Sequence, residues 1–415
     1  MTRGRVRLIT QWWAPEPIHV PEWMARGLNK AGWQVEVLTG IPNYPDGVVA
    51  QGYRASRYRR EHSRGFPVRR APLFPSHDGS PIRRMANYLS WAASASLSAV
   101  AATKVDVNLV YASPATAAIP AMLARLVRRT PYVMVVQDIW PDSVTRGGFL
   151  PPSAALRVIE RVLNAFMRAA YAQAYAVIVI SPGAIALLAD RGVPREKLHL
   201  SYNWVDEDVF HPSERDPLVR AELTSAPDEF VLLYAGNLGR AQGLDTAIRA
   251  LEFAPASAIL AIAGDGVEMD ELRGLAEGIA PGRVRFLGRR PLAEMSALSA
   301  AADAQLVILR DLPLYRTTMP SKVQAILASG SPILCAVAGD AAAVVAEAGA
   351  GVAVAPEDPR ALGQAMAHLQ ELSAAERDEL GRSGRAYYER EMAEAVGVGR
   401  LDRLLIHAAR SRSSR

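Results

Sequence analysis

Cysteine occurs once in the 415 residues, at Cys335, so no internal disulfide can form and nothing suggests a bridge-stapled secreted fold; a cytoplasmic home is expected. Long apolar runs are lacking too. The nearest, residues 89–102, is short and broken by serines, below the roughly 18 apolar residues of a spanning helix. The opening MTRGRVRLITQWW has an apolar stretch that runs into a strand-like pattern and no small-residue cleavage site, so no leader is expected. The seven histidines and Cys335 show no metal-ligand spacing, and no serine nucleophile elbow or Cys/His pair supports covalent hydrolysis. Lysine is limited to Lys30, Lys104, Lys197 and Lys322, so a Tyr-x-x-x-Lys pair is absent and hydride chemistry is reduced to a minor alternative.

What is present suffices for two ordinary cores, with 50% hydrophobic and 21% charged residues. The net charge of +5 conceals a division: residues 1–205 carry net +13 and the remainder net −8. Within residues 51–84, Arg54, Arg57, Arg59, Arg60, Arg64, Arg69, Arg70, Arg83 and Arg84 face only Glu61 and Asp78. Such a stretch attracts phosphates of lipid or of a diphosphate ligand, or is simply a solvated arginine-rich surface. Nucleic acid is the weaker partner and is not expected, because no RNA motif, zinc spacing or recognition helix accompanies the arginines.

Both halves open alike. Short apolar runs at 6–11 and 230–235 each lead through a turn and a helix-like segment to another run, at 35–39 and 258–263. Further strand candidates are 107–111, 132–136, 176–180, 284–287, 304–309, 332–336 and 351–354. Strands alternating with helices imply parallel sheets covered on both faces, an α/β class. The pattern restarts near residue 230, and residues 211–228 are charged and contain proline, as a linker would. The expected domains are two Rossmann-like units at 1–203 and 204–390, a final helix at 391–410 packing back on the first, and a frayed tail at 411–415.

Three segments carry candidate chemistry. In Tyr234-Ala235-Gly236-Asn237-Leu238-Gly239-Arg240-Ala241-Gln242-Gly243, glycines would let backbone amides approach a phosphate, with Arg240 beside them. A tight strand-to-helix turn explains the same glycines, and their spacing is not the dinucleotide fingerprint, although Asp265 lies about where a ribose-binding acid would follow. In Met319-Pro320-Ser321-Lys322, the proline and serine suit a helix start; that places the Lys322 ammonium where only a bound anion would offset repulsion by the helix dipole, unless Lys322 is a surface lysine. In Gln137-Asp138-Ile139-Trp140-Pro141-Asp142-Ser143, Asp138 and Asp142 follow a predicted buried strand, where sugar hydroxyls could be held; Asp142 could equally cap the next helix. The acidic run Asp206-Glu207-Asp208 mimics a metal-binding pattern but stands in the linker and is rejected as a metal site.

In these segments and their order, the chain resembles the retaining GT-B glycosyltransferases of family 4, in the branch that builds O-antigen and colanic-acid type polysaccharides. The resemblance spans essentially the whole length. It is carried by Ile41-Pro42-Asn43-Tyr44-Pro45-Asp46-Gly47, Phe74-Pro75-Ser76-His77-Asp78 with Arg84 and Asn87-Tyr88-Leu89-Ser90, and Asp138-Ile139-Trp140-Pro141-Asp142-Ser143. In the second half it is carried by Asn203-Trp204-Val205-Asp206, Tyr234-Ala235-Gly236-Asn237, Gly264-Asp265-Gly266, Phe286-Leu287-Gly288 and Pro320-Ser321-Lys322. It implies two Rossmann-like domains facing across a cleft, the second holding a nucleotide sugar and the first an acceptor, either lipid-linked or a small natural product, with no metal or other cofactor. A UDP-linked hexosyl or N-acetylhexosaminyl donor is expected, and attachment to the inner face of an anionic plasma membrane would fit the basic first half.

By the same resemblance, Lys322 and Arg240 neutralise the leaving diphosphate and Asp138 serves the reacting end. Gly236, Asn237, Gly239, Gly264, Asp265, Gly288, Arg289, Ser321 and Gln324 contact the donor, while Glu16 and His77 contact substrate. The chain departs from the family at Ala325 and Thr317, where a pair of acids is common, and at Gln242, Gln137 and the loop Ala14-Pro15-Glu16-Pro17-Ile18-His19. Gln324 is expected to reach the donor ribose in place of the missing acid. The acid-poor pocket leaves two alternatives: a non-catalytic sugar-nucleotide-binding partner of another transferase, and, less well supported, a sugar-nucleotide epimerase.

Overall fold

The computed structural model describes residues 3–76, 80–142, 154–226 and 228–413. The chain forms two compact units, Met1–Tyr202 with Gly397–Arg415, and Asn203–Val396.

The first unit is built on an eight-stranded sheet: β1 (Gly4–Ile9), β2 (Trp33–Gly40), β3 (Arg59–Ser63), β4 (Phe66–Ala71), β5 (Val107–Ala112), β6 (Tyr132–Val136), β7 (Ala176–Val179) and β8 (Leu198–Leu200), in the order β3-β4-β2-β1-β5-β6-β7-β8. All neighbours run parallel except β3 against β4. β5, β6 and β7 are buried at every position, which is why they read as unbroken apolar runs instead of alternating ones. Val6 pairs with Val35 on one side and Val107 on the other. Trp91, Ala92 and Ala95 of the helix Pro81–Ala101 pack with Ile9, Leu38 and Val110.

The hairpin β3–β4 has no counterpart among the expected strands, because it lies inside the arginine-rich stretch and has little apolar alternation. Its two-residue turn is Arg64-Gly65, with φ of 55° and 83°, the left-handed pair that a tight hairpin needs. Part of the basic surface is thereby removed from solvent. Arg70 has a fully buried side chain, pairs with Glu61 at 2.6 Å, donates to the carbonyls of Gly40 and Ala14, and lies over the Tyr53 ring. Arg59 shares Glu61. Arg70 holds the hairpin to the sheet and is not free to meet a membrane, whereas the Arg59 side chain stays 46% exposed on the edge strand it shares with Glu61.

The last helix, Glu394–Ser413, starts in the second unit and ends in the first. Asp402 accepts from Trp33 Nε1 at 2.8 Å and pairs with Arg3, while Arg412 donates to the carbonyls of Val105 and Arg128. Residues 411–413 are therefore helical and tied down, not frayed; residues 414 and 415 lie outside the described residues.

The second unit carries a six-stranded parallel sheet: β9 (Phe230–Ala235), β10 (Ala258–Ala263), β11 (Val284–Gly288), β12 (Ala304–Ile308), β13 (Ile333–Ala336) and β14 (Gly351–Ala353), in the order β11-β10-β9-β12-β13-β14. Leu232, Leu260, Ile262, Leu306 and Leu334 form its core with Ile248 and Leu362 from the covering helices. The helix Ser321–Ser329 lies against Ala374–Glu391, whose Gly384 faces Leu327. The acidic run 206–208 serves this packing: Glu207 accepts from the Glu394 amide at 2.7 Å and from the Tyr388 hydroxyl at 3.1 Å, and Asp206 closes a turn onto Val209 and Phe210.

Strand order reverses direction between β1 and β5 in the first sheet and between β9 and β12 in the second. The loops leaving the carboxyl ends of such a strand pair diverge, and ligands bind in the crevice between them.

Candidate functional site

In the second unit, the loops after β9, β10 and β11 are stitched by backbone bonds. Gly236 N donates to Ala263 O at 2.8 Å, Leu238 N to Asp265 O at 2.9 Å, and Gly264 N to Gly288 O at 2.8 Å. A Cβ on Gly264 would stand 1.8 Å from Gly236 O, and one on Gly266 2.4 Å from Leu238 O, so only glycine permits this approach. The three glycine motifs of the sequence thus converge on one surface. Asp265 accepts from Gly266 N and pairs at 3.4 Å with the exposed Arg289.

Lys322 enters from the first turn of the helix Ser321–Ser329. Its Nζ donates to Gln242 Oε1 at 2.9 Å and lies 4.8 Å above the Tyr234 ring. A Cβ on Gly236 would fall 2.7 Å from its Cε and 3.0 Å from its Nζ, which fixes the ammonium directly over the glycine loop. Burial pushes its pKa down to about 8. The side chain set against Lys322 is Gln242, held also by the Tyr234 hydroxyl at 3.0 Å. Arg240, expected in that role, has an exposed side chain, and its carbonyl receives Arg310 Nε.

Arg310 was not anticipated. It follows β12, on the far side of the reversal, donates its amide to Ala241 O and clamps the loop through ion pairs to Asp245 at 2.7 Å and Glu357 at 3.1 Å. The strand-end rule that singled out Asp138 points equally to Arg310, one residue beyond the run 304–309. Asn237 and Ser321 are exposed beside the loop and the helix start, whereas Gln324 is 1% exposed. The Gln324 amide nitrogen faces the carbonyls of Pro320 at 2.8 Å and Ser321 at 3.2 Å. The expected reach of Gln324 to a ribose is not made: its polar group is spent on the first turn of its own helix, and the neighbouring Ala325 offers no hydrogen-bonding atom.

In the first unit, Trp12 follows β1 and Ser113 follows β5, flanking the reversal there. Asp138 follows β6; its Oδ2 accepts from Ser113 Oγ at 2.8 Å, and its side chain is exposed. Crowding by surrounding protein raises its pKa, with the Ser113 bond pulling the other way. Asp142 is a structural acid instead, buried in an ion pair with Arg191. Aromatic rings gather alongside: Trp12 lies 5.3 Å from Tyr44 and 6.5 Å from Tyr88, and Tyr88 lies 6.4 Å from Trp140. Burial raises the Tyr88 pKa, with Arg84 lowering it and Asp138 raising it.

Glu16 takes a different place from the one expected. Its carboxylate is 5% exposed and accepts from the amides of Trp13 at 3.1 Å and of Asn43 and Tyr44, both at 2.9 Å. It bolts the loop after β1 to the loop after β2, and its oxygens are occupied by backbone. Burial pushes its pKa up to about 7 against the pull of those amides. Gln11, Asn43 and Asn87 extend the bolt as a buried hydrogen-bonded chain to Phe74 O. His77, Asp78 and Ser143 lie outside the described residues.

Comparison with known proteins identifies the family and the fold. Residues 18–204 match the model of the glycosyl transferase 4-like domain, and residues 229–371 that of the glycosyl transferases group 1. The chain is 27% identical to "Probable glycosyltransferase WbjE" of Pseudomonas aeruginosa over 72% of its own length and 73% of that protein. It is 28% identical to "Putative colanic acid biosynthesis glycosyl transferase WcaI" of Escherichia coli strain K12, over 82% and 84%. Among solved structures, HepE of Anabaena in complex with UDP-glucose superposes with a TM-score of 0.67 at 18% identity, covering 99% of this chain and all of that one.

Proposed function

Because this chain belongs to glycosyltransferase family 4 and has the GT-B architecture, we propose that it moves a hexosyl or N-acetylhexosaminyl group from a UDP-linked donor to a glycan hydroxyl, with retention at the anomeric carbon. The observation that carries this reading is the Lys322 ammonium held over the glycine loop at the strand-order reversal of the second unit. A diphosphate placed on amides 236–239 would meet Lys322, with the exposed Arg240 and Arg289 able to swing towards it. The donor C1–O bond breaks with its electron pair leaving on the diphosphate, whose charge these groups stabilise. The acceptor oxygen bonds C1 on the same face, and its proton passes to a phosphate oxygen of the departing UDP. No enzymic nucleophile and no metal is required by this route. UDP as the nucleotide follows HepE, a likeness at the level of fold.

The test is to incubate the protein with UDP-glucose, UDP-galactose and UDP-N-acetylglucosamine and methyl glycosides as acceptors, with and without EDTA, and follow UDP release and the anomeric configuration of the glycoside product by proton NMR. Release that survives EDTA and gives an axial product from an axial donor supports the reading. Inversion, or strict dependence on a divalent ion, overturns the corresponding part. One observation favours a second reading, a non-catalytic sugar-nucleotide-binding partner: Ala325 and the buried Gln324 leave the lysine helix without an acid directed at a ribose. That reading predicts UDP binding with no release from any donor.

Peripheral attachment to an anionic membrane belongs to the same proposal, with a lipid-linked acceptor as its rationale. Among the described residues no helix is long and apolar enough to cross a membrane. The supporting surface is the helix Ala118–Arg128, where Leu126 and Val127 are 78% and 55% exposed beside Arg125, Arg128 and Arg129. The adjacent helix Ala154–Gln173 exposes Val158, Ile159 and Val162 among Arg157 and Arg161.

A further inference from the structure

The aromatic group of the first unit is not needed for folding in the way its buried neighbours are. Trp91 and Trp33 are sealed in the core, whereas Trp12, Tyr44 and Tyr88 keep part of their surface open at the carboxyl ends of β1 and β2 and on the helix Pro81–Ala101. They converge from three separate elements beside the strand-order reversal, where Ser113 follows β5 and its hydrogen-bond partner, the exposed Asp138, follows the neighbouring β6. Aromatic faces with a carboxylate and a hydroxyl at one edge match a particular ligand surface. A pyranose has an apolar C–H face that covers a ring and equatorial hydroxyls that need acceptors at its rim. A polyprenyl or acyl chain would cover the Asp138 carboxylate without offering it a hydrogen-bond donor beyond Ser113, and a phosphate would be repelled by it.

The wall is also held in place before any ligand arrives. Glu16 ties the amides of Trp13 and Tyr44 to a single carboxylate, so Trp12 and Tyr44 stand on two loops locked to each other, and the Gln11–Asn87 bond at 2.5 Å joins the helix that carries Tyr88. Rings fixed in this way lose little freedom on binding, which favours a sugar, whose hydroxyls gain little net free energy on leaving water.

We propose that Trp12, Tyr44 and Tyr88, with Asp138 and Ser113 at their edge, form the subsite for the sugar ring that bears the accepting hydroxyl, so that the acceptor is recognised as a carbohydrate and not through its lipid or phosphate. This rests on the transferase reading above only for the word acceptor; the subsite lies wholly in the first unit and binds without donor.

The test uses the full-length protein saturated with UDP, probed by saturation-transfer NMR with methyl glycosides of glucose, galactose and N-acetylglucosamine, and with phosphatidylglycerol vesicles as the lipid comparison. At least one glycoside is expected to receive saturation on its ring protons. Trp12→Leu and Asp138→Asn should each weaken that binding tenfold or more while leaving the UDP-induced rise in Tm unchanged, and the glycoside should still bind Lys322→Met. Glycosides that bind none of the forms, or that bind wild type and both first-unit variants equally, overturn the proposal even if UDP still raises Tm. Absence of a UDP-induced shift with glycoside binding intact would instead sink the donor assignment and leave the subsite standing.

Discussion

Replacing Lys322 by methionine keeps the length of the side chain and removes its charge, and the structure predicts opposite signs for turnover and stability. The ammonium is partly buried, with Gln242 Oε1 at 2.9 Å and the Tyr234 ring beneath it, and burial holds its pKa near 8. Removing it leaves no orphan, since Gln242 Oε1 still accepts from the Tyr234 hydroxyl at 3.0 Å. Loss of one preorganised group acting on a leaving diphosphate costs on the order of 2.7–4 kcal/mol of barrier, so kcat should fall roughly 10²–10³-fold. Tm should hold or rise below pH 8, because a lysine with a lowered folded pKa binds fewer protons than the unfolded chain between about 8 and 10.5. Wild-type stability therefore increases with pH across that window, and the methionine variant lacks the increase. Donor kcat/KM, which reports the free enzyme, should decline roughly tenfold per pH unit above about 8 in wild type. Coupled UDP-release assays and thermal melts at pH 6.5 to 10 provide both readouts. Near-normal kcat in Lys322→Met, or a lowered Tm with unchanged turnover, would refute the argument.

Other expected outcomes follow from single contacts. Gly264→Ala places a Cβ 1.8 Å from Gly236 O at φ +154°, so it should lower Tm sharply and abolish UDP binding, whereas Gly288→Ala, at φ +68° with open space around it, should cost only about 1–2 kcal/mol by denaturant titration; similar losses for both would discredit the stitched-loop account. Glu16 has a folded pKa raised to about 7 from 4.5, so its contribution to stability is lost as pH rises across that window; the stability of wild type relative to Glu16→Gln should be greatest below pH 4.5 and decline until pH 7, and a pH-independent difference would remove Glu16 as the titrating group. Phosphatidylglycerol vesicles should co-sediment the protein at low salt and release it at high salt, with Arg125, Arg128 and Arg129 to Ser weakening capture and Arg70→Ser affecting folding instead; vesicles that capture none of the wild type at low salt would argue for a soluble acceptor.

The alternation of apolar runs and helices was enough to determine the parallel α/β class, because strands buried on both faces need continuous apolar residues; β6, β9 and β10 stand where their runs predicted. The glycine motifs were legible for a related reason: no other residue tolerates the approach of Gly264 to Gly236 O, so the requirement is written in residue type. The hairpin β3–β4 was not legible, since its stability comes from Arg70 and Glu61 meeting under Tyr53, a contact between side chains that composition reads only as charge. Glu16, Gln324 and Asp142 could be assigned from sequence to a site, but whether a polar group faces ligand or backbone depends on which atoms surround it. Tertiary structure gave Glu16 three amides, Gln324 the carbonyls of its own helix and Asp142 the Arg191 guanidinium, and left Asp138 open. The pairing of Lys322 with Gln242, eighty residues apart, was likewise decided only when the order of β9 and β12 brought their loops together.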